Sequence, residues 1–421
     1  MDWESTEIDA SRYHMDAILQ DVSAIAVKKC VCDSGIIRMK PCATTVRRVS
    51  SSVMKSMSSK AKPRLSLACA GLMLVELGCA VAEPSAPQPF ERLPENPIIT
   101  PASSPRIGNN INGPALIRVP DWLPDPLGRY YLYFAHHAGD SIRLAYADSI
   151  EGPWKIHEAG TLRLDQVKEI VQGHIASPDI VVDESNKRIV MYYHGPVNLK
   201  GPGMKMAREF TRQALPPKEQ SKPNVNRQFT SVAVSKDGLH FEPAGGVLSP
   251  FYARVFTHAG SDYCIAKGLM EDGLLMRRPA GSPDTPFEAV KKILPRMRHC
   301  AVWIDGQRLY VAYSRIGDAP EQIVLSYADM TGAATEWKFS APVSLLKPEK
   351  PWEGAMHPVR PSRSGLAKGP VNELRDPALF AEGETIYLIY SIAGESGLAI
   401  AKTSLDDFRK LAVASEEGAM D

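Results

Sequence analysis

The sequence has 421 residues, of which 44% are hydrophobic and 23% are charged, and its formal net charge is +1. This balance is typical of a globular protein with one large or two medium domains, and it argues against an acidic tail or a nucleic-acid partner. The 34 prolines and 30 glycines indicate many turns and little continuous helix.

The first predicted element is an export signal in residues 54–82. Residues 55–64 carry four basic side chains, residues 65–75 are an apolar run, and residues 80–82 read Ala-Val-Ala. This three-part pattern is typical of a secretory signal peptide, and the run is too short to span a membrane. The alternative is a buried helix of a folded N-terminal domain. We expect export to the periplasm or the extracellular space after cleavage behind Ala82.

The residues before this signal have no clear periodicity. We expect residues 1–53 to be an over-extended or disordered N-terminus, with translation beginning at Met54 or Met57. The remaining residues 83–421 form the predicted folded domain. Of its two cysteines, Cys264 and Cys300, the sequence leaves open whether they pair or remain buried thiols.

One unit recurs within residues 83–421. An apolar segment is followed by a turn, a Tyr-containing segment, a third alternating segment and a single aromatic residue. The first segments begin at Pro114, Pro178, Pro250 and Pro377, at spacings of 64, 72 and 127 residues. The last spacing is about double, and a fifth unit begins inside it at Cys300.

Five units of short alternating strands predict an all-β fold, a five-bladed β-propeller over about residues 90–415. A β-sandwich would not explain a five-fold repeat. Only 13 residues follow Phe408, the last aromatic residue, so ring closure is expected to use an N-terminal strand at residues 96–99. Residues 162–172 have helical spacing, and residues 195–227 are a long insertion that is either a lid or disordered.

The first strand of every blade lines the central channel of a propeller, so residues at the heads of these strands converge on one point. Polar residues are frequent there. The candidates for substrate binding or catalysis are Asn112, His174, Asp179, Tyr252, Arg254, Arg298, His299, Glu373, Arg375 and Asp376.

Three stretches carry a resemblance to a known group of enzymes: residues 375–380 (RDPALF), residues 176–180 (ASPDI) and the strand–turn–Tyr pattern of residues 128–133. They resemble the five-bladed β-propeller glycoside hydrolases of families 43, 62, 32, 68, 117 and 130, such as arabinanases, β-xylosidases, levansucrases and anhydrogalactosidases. The resemblance implies a carbohydrate substrate and acidic residues from different blades that meet in the channel. It implies no cofactor.

Glycosidic bond cleavage requires a proton donor and a carboxylate that acts on the sugar or on water. We expect Asp179 and Asp376 to be the main carboxylates, with Glu373 as a further acid. His299 or His174 is a candidate for proton transfer, since imidazole titrates near neutral pH. We expect Asn112, His174, Tyr252, Arg254, Arg298 and Arg375 to bind substrate.

Some readings of these residues remain open. Asp376 also suits a turn cap, and Asp179 also suits bonds to backbone groups between blades. The families carry an Asp before Pro in the first blade, where this sequence has Gly113. A non-catalytic carbohydrate-binding propeller is therefore the alternative function. His136 and His137 are a weak metal signal, and we expect no metal site.

The basic residues at the channel suggest a particular kind of sugar. Arg254, Arg298 with His299, and Arg375 come from three first strands, and arginine binds carboxylates and sulfates through a planar fork. We expect an acidic or sulfated sugar unless each arginine pairs with a neighbouring acid.

Export can be tested directly on the mature protein. If the signal peptide is cleaved as expected, N-terminal sequencing of the exported protein will begin at Glu83. A mature protein that begins upstream of Met54 would contradict both the cleavage site and the expected start.

Overall fold

A computed structural model describes residues 90–215, 228–268 and 272–417, with side chains described as far as residue 411. The expected leader, residues 54–82, and the segment before it lie outside the described residues, so both remain predictions. No helix among the described residues is long and apolar enough to cross a membrane.

The described residues form five antiparallel sheets, each built around one copy of the repeat. The first blade contains β2 (Asn112–Arg118), β3 (Tyr130–Ala135), β4 (Ser141–Ala147) and β5 (Lys155–Arg163). The second contains β6 (Ala176–Asp183), β7 (Arg188–Pro196), β8 (Gln228–Ser235), β9 (Glu242–Pro243) and β10 (Ser249–Pro250). The third contains β11 (Arg254–His258), β12 (Ser261–Lys267), β13 (Gly273–Pro279) and β14 (Glu288–Ile293).

The last two blades complete the ring. The fourth contains β15 (Met297–Asp305), β16 (Arg308–Arg315), β17 (Ile323–Asp329) and β18 (Val343–Leu346). The fifth contains β19 (Arg375–Glu382), β20 (Thr385–Ser391), β21 (Leu398–Ser404) and the N-terminal β1 (Glu91–Arg92). The first strands of successive blades contact each other around the centre, and β19 contacts β2. The predicted five-bladed β-propeller is confirmed.

The strand that closes the ring lies earlier than predicted. Glu91 and Arg92 of β1 pair with Lys402 and Ala401 of β21. The expected strand at residues 96–99 contributes a single bridge, between Ile99 and Leu398. Pro97 within it has no N–H group to donate to a ladder, which explains why regular pairing is confined to the earlier residues.

Helices are few among the described residues. The predicted helix at residues 162–172 is a single 3-10 turn, Leu164–Gln166, and two more such turns occur at Pro101–Ser103 and Pro351–Glu353. The long insertion contains α1 (Pro202–Ala214), while residues 216–227 lie outside the described part. A C-terminal helix, α2 (Leu405–Glu417), was not predicted.

Apolar side chains of neighbouring blades pack into clusters between the sheets. The repeated aromatic residues belong to these clusters, as expected from their size, and Tyr131, Tyr133 and Phe408 have no exposed surface. Cys264 and Cys300 are both buried free thiols, which decides the alternative that the sequence left open.

Phe408 of α2 anchors the closing strand. Its ring lies 6.0 Å from that of Phe90, next to β1, and 5.3 Å from that of Tyr310 in the fourth blade. We expect Phe408→Ala to lower the free energy of unfolding by about 3–5 kcal/mol, because it leaves a cavity where the ring closes. Chemical denaturation will measure this, with the exposed Leu366→Ala as control. Equal stability of the two variants would contradict the anchoring role.

Candidate active site at the channel mouth

The first strands begin with an irregular segment at the mouth of the channel. In β2, β6, β15 and β19 the register with the second strand shifts within the first few residues. Gly113, Ser177, Tyr252 and Asp376 have φ values of 59°, 45°, 65° and 48°. Positive φ is strained for residues other than glycine, and such strain is concentrated at functional sites.

Two of these segments bring a histidine and an aspartate together. Nδ1 of His299, at the head of β15, contacts Oδ1 of Asp376, at the head of β19. Oδ2 of Asp376 accepts a hydrogen bond from the Ser391 hydroxyl at 3.1 Å and from the Gly113 amide at 3.4 Å. Asp376 is fully buried and is held by these two hydrogen bonds, so its contact with Nδ1 fixes the orientation of the His299 ring.

An aromatic stack covers the other side of His299. The ring of Tyr252 stacks on His299 with a centroid distance of 3.6 Å, and His194 lies 4.5 Å beyond Tyr252. These residues line a cavity of about 100 Å³, together with His137, His174, Ala176, Ser177, Gln228, Phe251, Lys267, Arg298, Ser364 and Gly365. His299 is therefore held rigidly at the wall of a small cavity.

Burial and nearby positive charge lower the pKa values of three histidines of this cavity. Burial lowers the pKa of His299 well below its ordinary value, and the charges of Lys267 and Arg298 act in the same direction. Burial also lowers the pKa of His194 well below the ordinary range and the pKa of His174 less strongly. A neutral imidazole has one nitrogen that can accept a proton.

Gly113 precedes Pro114 at the head of β2, and the structure shows that no larger residue fits there. A Cβ atom at Gly113 would lie 2.8 Å from Cα of Ser177 and 2.6 Å from its Oγ. Real Cβ atoms essentially never approach backbone this closely. The backbone of the second blade therefore occupies the space that an acidic side chain of the first blade would need.

An ion-pair network surrounds the mouth. Arg298 binds Glu321 through two hydrogen bonds, of 2.7 Å from Nε and 2.9 Å from Nη2. Arg375 donates to Glu373 at 2.7 Å and to Glu395 at 2.9 Å. All of these side chains are almost completely buried, so each guanidinium is bound to a carboxylate inside the protein.

Glu395 and Glu321 were not predicted as site residues. They lie in the turns between the second and third strands of the fifth and fourth blades, and His137 lies in the same turn of the first blade. In antiparallel blades these turns return to the end at which the first strand begins. Their place in the repeat is the signal that could have identified them.

Glu395 is the most heavily bonded of these acids. It accepts hydrogen bonds from Nδ2 of Asn110 at 2.6 Å and from Nδ2 of Asn112 at 3.3 Å, and it contacts Nδ1 of His137 at 3.4 Å. Burial acts to raise the pKa of Glu395, but His137, Arg375 and Asn110 together lower it to about 2. Asn112, expected to bind substrate, is instead buried and donates to this acid and to Asn110.

Glu373 has the opposite electrostatic environment. Burial raises the pKa of Glu373, and the negative charge of Glu321 adds to this effect, although Arg375 opposes it. A carboxyl group of raised pKa retains its proton more readily and is suited to donate it.

Arg254 and Asp179 lie deeper in the channel. Arg254 donates to the carbonyl oxygens of Cys300 at 2.9 Å, Pro178 at 2.6 Å and Pro114 at 3.3 Å. Asp179 contacts the same guanidinium at 3.4 Å and accepts from the Val255 amide at 2.7 Å. This is the inter-blade bonding that was the alternative reading of Asp179, and it engages Arg254 with protein rather than leaving it open to a ligand.

The structure thus brings some of the predicted residues together and separates others. His299, Asp376 and Tyr252 form one contiguous group, and Arg298, Arg375 and Glu373 lie in the adjoining network. His174 lies at the rim, where its Nε2 is 3.2 Å from Oε1 of Gln228. Among the described residues, no group of three His, Cys, Asp or Glu side chains could hold a metal ion.

Comparison with solved structures defines the class of fold. A candidate glycoside hydrolase from Bacteroides ovatus aligns over 77% of this chain and 98% of its own, with a TM-score of 0.51 and 15% identity. A second, from Parabacteroides distasonis, aligns over 76% of this chain and 97% of its own, with a TM-score of 0.50 and 14% identity. The chain shares the five-bladed propeller fold of these proteins.

Sequence comparison places the chain in a family. It is 33% identical over 321 residues to the uncharacterized protein R118 of Acanthamoeba polyphaga mimivirus, and the alignment covers 70% of this chain and 83% of that one. The chain belongs to the same family as this viral protein. No family model matches the sequence.

The low pKa of Glu395 predicts a specific pH dependence of stability. Its ordinary pKa is 4.5 and its value in the fold is about 2, so ionised Glu395 stabilises the fold above about pH 4.5. This contribution is lost as the pH falls toward 2. Between these values we expect the parent to lose more stability than Glu395→Gln in chemical denaturation. Parallel stability curves would contradict this, and the exposed Glu288→Gln is the matched control.

Proposed function

We propose that this protein is a glycoside hydrolase that acts on an oligosaccharide or polysaccharide, with His299 as a proton-transferring group. The observation that carries this proposal is the contact between His299 of the fourth blade and the buried Asp376 of the fifth, at the wall of a cavity in the channel mouth. The shared fold supports a carbohydrate substrate, and the His299–Asp376 contact supports a role in proton transfer.

The contact with Asp376 determines which nitrogen of His299 reacts. Asp376 faces Nδ1, so the neutral ring carries its proton there and has its lone pair at Nε2. Within the described residues Nε2 accepts no hydrogen bond. It is therefore available to take a proton from water or a sugar hydroxyl, while Asp376 stabilises the imidazolium that forms.

Cleavage also needs a proton for the leaving oxygen. Glu373 is suited to this role, since burial raises its pKa and Arg375 binds its Oε2 atom, while no bond of a described residue to Oε1 is present. Burial raises the pKa of Asp179 as well, but the Val255 amide and the Arg254 side chain engage both of its oxygens. We therefore assign His299 as the proton-accepting group and Asp376 as the group that orients it; Glu373, which lines the neighbouring cavity rather than the one at His299, is the candidate acid.

A non-catalytic carbohydrate-binding propeller is the second candidate. Two observations favour it: Gly113 has no room for the acid of the first blade, and Asp179 is bound between blades. A panel of aryl glycosides and of plant and algal glycans discriminates the two. Turnover supports the hydrolase, whereas binding without turnover supports the binding module.

The expected preference for acidic or sulfated sugars needs a different basis from the one that the sequence suggested. Arg254, Arg298 and Arg375 each pair with a carboxylate, so none of them offers an uncompensated positive charge to a ligand.

Export of the protein is proposed from the sequence pattern of residues 54–82 alone.

Variants of the His299–Asp376 pair test the catalytic proposal. We expect His299→Ala and Asp376→Asn to lower turnover by about a hundredfold to ten-thousandfold, the range for loss of a general acid or base. Asn at position 376 keeps a side-chain oxygen for the Ser391 hydroxyl, so the melting temperature of Asp376→Asn should remain close to that of the parent.

The control for these variants is His240→Ala, which removes an exposed histidine on a surface turn and should retain activity. The measurement is release of the sugar product from whichever glycan in the panel is cleaved. Full turnover by both site variants would exclude the pair from the mechanism.

A further inference from the structure

A second and larger cavity lies beside the channel mouth. It has a volume of about 530 Å³ and is walled by the segment that leads into β19, with Pro358, Pro361, Ser362, Leu366 and Glu373 among its lining residues. Sites for small ligands commonly enclose about 300–1,000 Å³. The cavity at His299, at about 100 Å³, is below this range. The larger cavity is therefore the better match for a sugar unit.

The charges in this cavity are unevenly distributed. Arg360, Arg363 and Lys368 line it, all three are exposed, and their side chains form no ion pair with any described residue. The acid that lines the cavity, Glu373, is bound to Arg375. The cavity thus has an excess of positive charge, in contrast to the balanced network around Arg298 and Arg375.

The larger cavity adjoins the one that contains His299. Ser364 and Gly365 line the small cavity, while Ser362, Arg363 and Leu366 line the large one, so residues 362–366 form the wall between them. Arg298 and Arg375 both donate to the carbonyl oxygen of Gly365, at 3.2 Å and 3.1 Å. Two buried cations therefore fix this wall in place.

We propose that the larger cavity is a subsite for a negatively charged substituent of the carbohydrate substrate, a sulfate ester or a carboxylate. The inference rests on the proposed function and names the class of its substrate. Guanidinium groups bind sulfate and carboxylate oxygens through two parallel hydrogen bonds, and Arg360 and Arg363 can each present such a fork. The exposed side chain of Leu366 offers an apolar contact to the sugar ring.

The test uses two pairs of probes that differ in charge. Dextran sulfate and dextran oligosaccharides of equal length report on sulfate esters. Trigalacturonate and its trimethyl ester report on carboxylates. Binding is measured by calorimetry with the full-length His299→Ala variant, so that the result does not depend on turnover. We expect one charged probe or both to bind about tenfold more tightly than the neutral partner. Higher salt should reduce the difference, because the cations are exposed.

Substitution of the three cations should remove this preference. In Arg360→Gln/Arg363→Gln/Lys368→Gln we expect the charged and neutral forms to bind equally. The matched control is Arg106→Gln/Arg208→Gln/Lys338→Gln, which removes the same number of exposed charges elsewhere and should retain the preference. Circular dichroism confirms that both variants fold.

The outcomes separate this subsite from the catalytic proposal. A preference for sulfate alone or carboxylate alone supports the subsite and identifies the substituent. Equal binding of charged and neutral probes by the His299→Ala protein would overturn it, as would a preference that survives the triple substitution or is lost in the control. Such a result would not bear on the proposal that His299 takes part in turnover. Conversely, a parent protein without turnover, whose His299→Ala variant still prefers the charged probes, would contradict only the hydrolase.

Discussion

The centre of the propeller depends on the hydrogen bonds that the guanidinium group of Arg254 donates. The inner edge of each first strand presents carbonyl groups to the channel that have no neighbour within their own sheet. Arg254 donates to carbonyl oxygens of the first, second and fourth blades, and Asp179 balances its charge. The channel is therefore occupied by a side chain of the protein, and the small cavity at His299 lies at its mouth.

The mouth itself is built from rigid parts. Ser177, Tyr252 and Asp376 have positive φ values; the first two line the small cavity, and Asp376 contacts His299. The ion pairs of Arg298 and Arg375 hold the surrounding turns. Catalysis by positioned groups depends on such support, because reacting atoms must be held in place before the transition state. The small cavity and the single oriented imidazole are the result of this rigidity.

The repeat in the sequence was enough to predict five blades and the convergence of His299 and Asp376, because both depend on strand period and position. It could not distinguish a free arginine from a paired one, since Glu321 and Glu395 lie in turns without alternation. The strand β1 was displaced from its expected place, and α2 was missed, because isolated pairs of residues and a chain end carry little periodic signal. The roles of Asp179 and Arg254 followed from distances across the channel, which no local pattern contains.

The close approach of Gly113 to Ser177 also limits which substitutions this chain accepts at position 113. An acid at position 113 would require the second blade to move first, and the second blade is itself bound to Arg254 through Pro178. A single substitution of Gly113 therefore produces a steric clash with Ser177. The inner ring is thus a place where one substitution alone cannot introduce an acid, because the backbone of the second blade has to change with it.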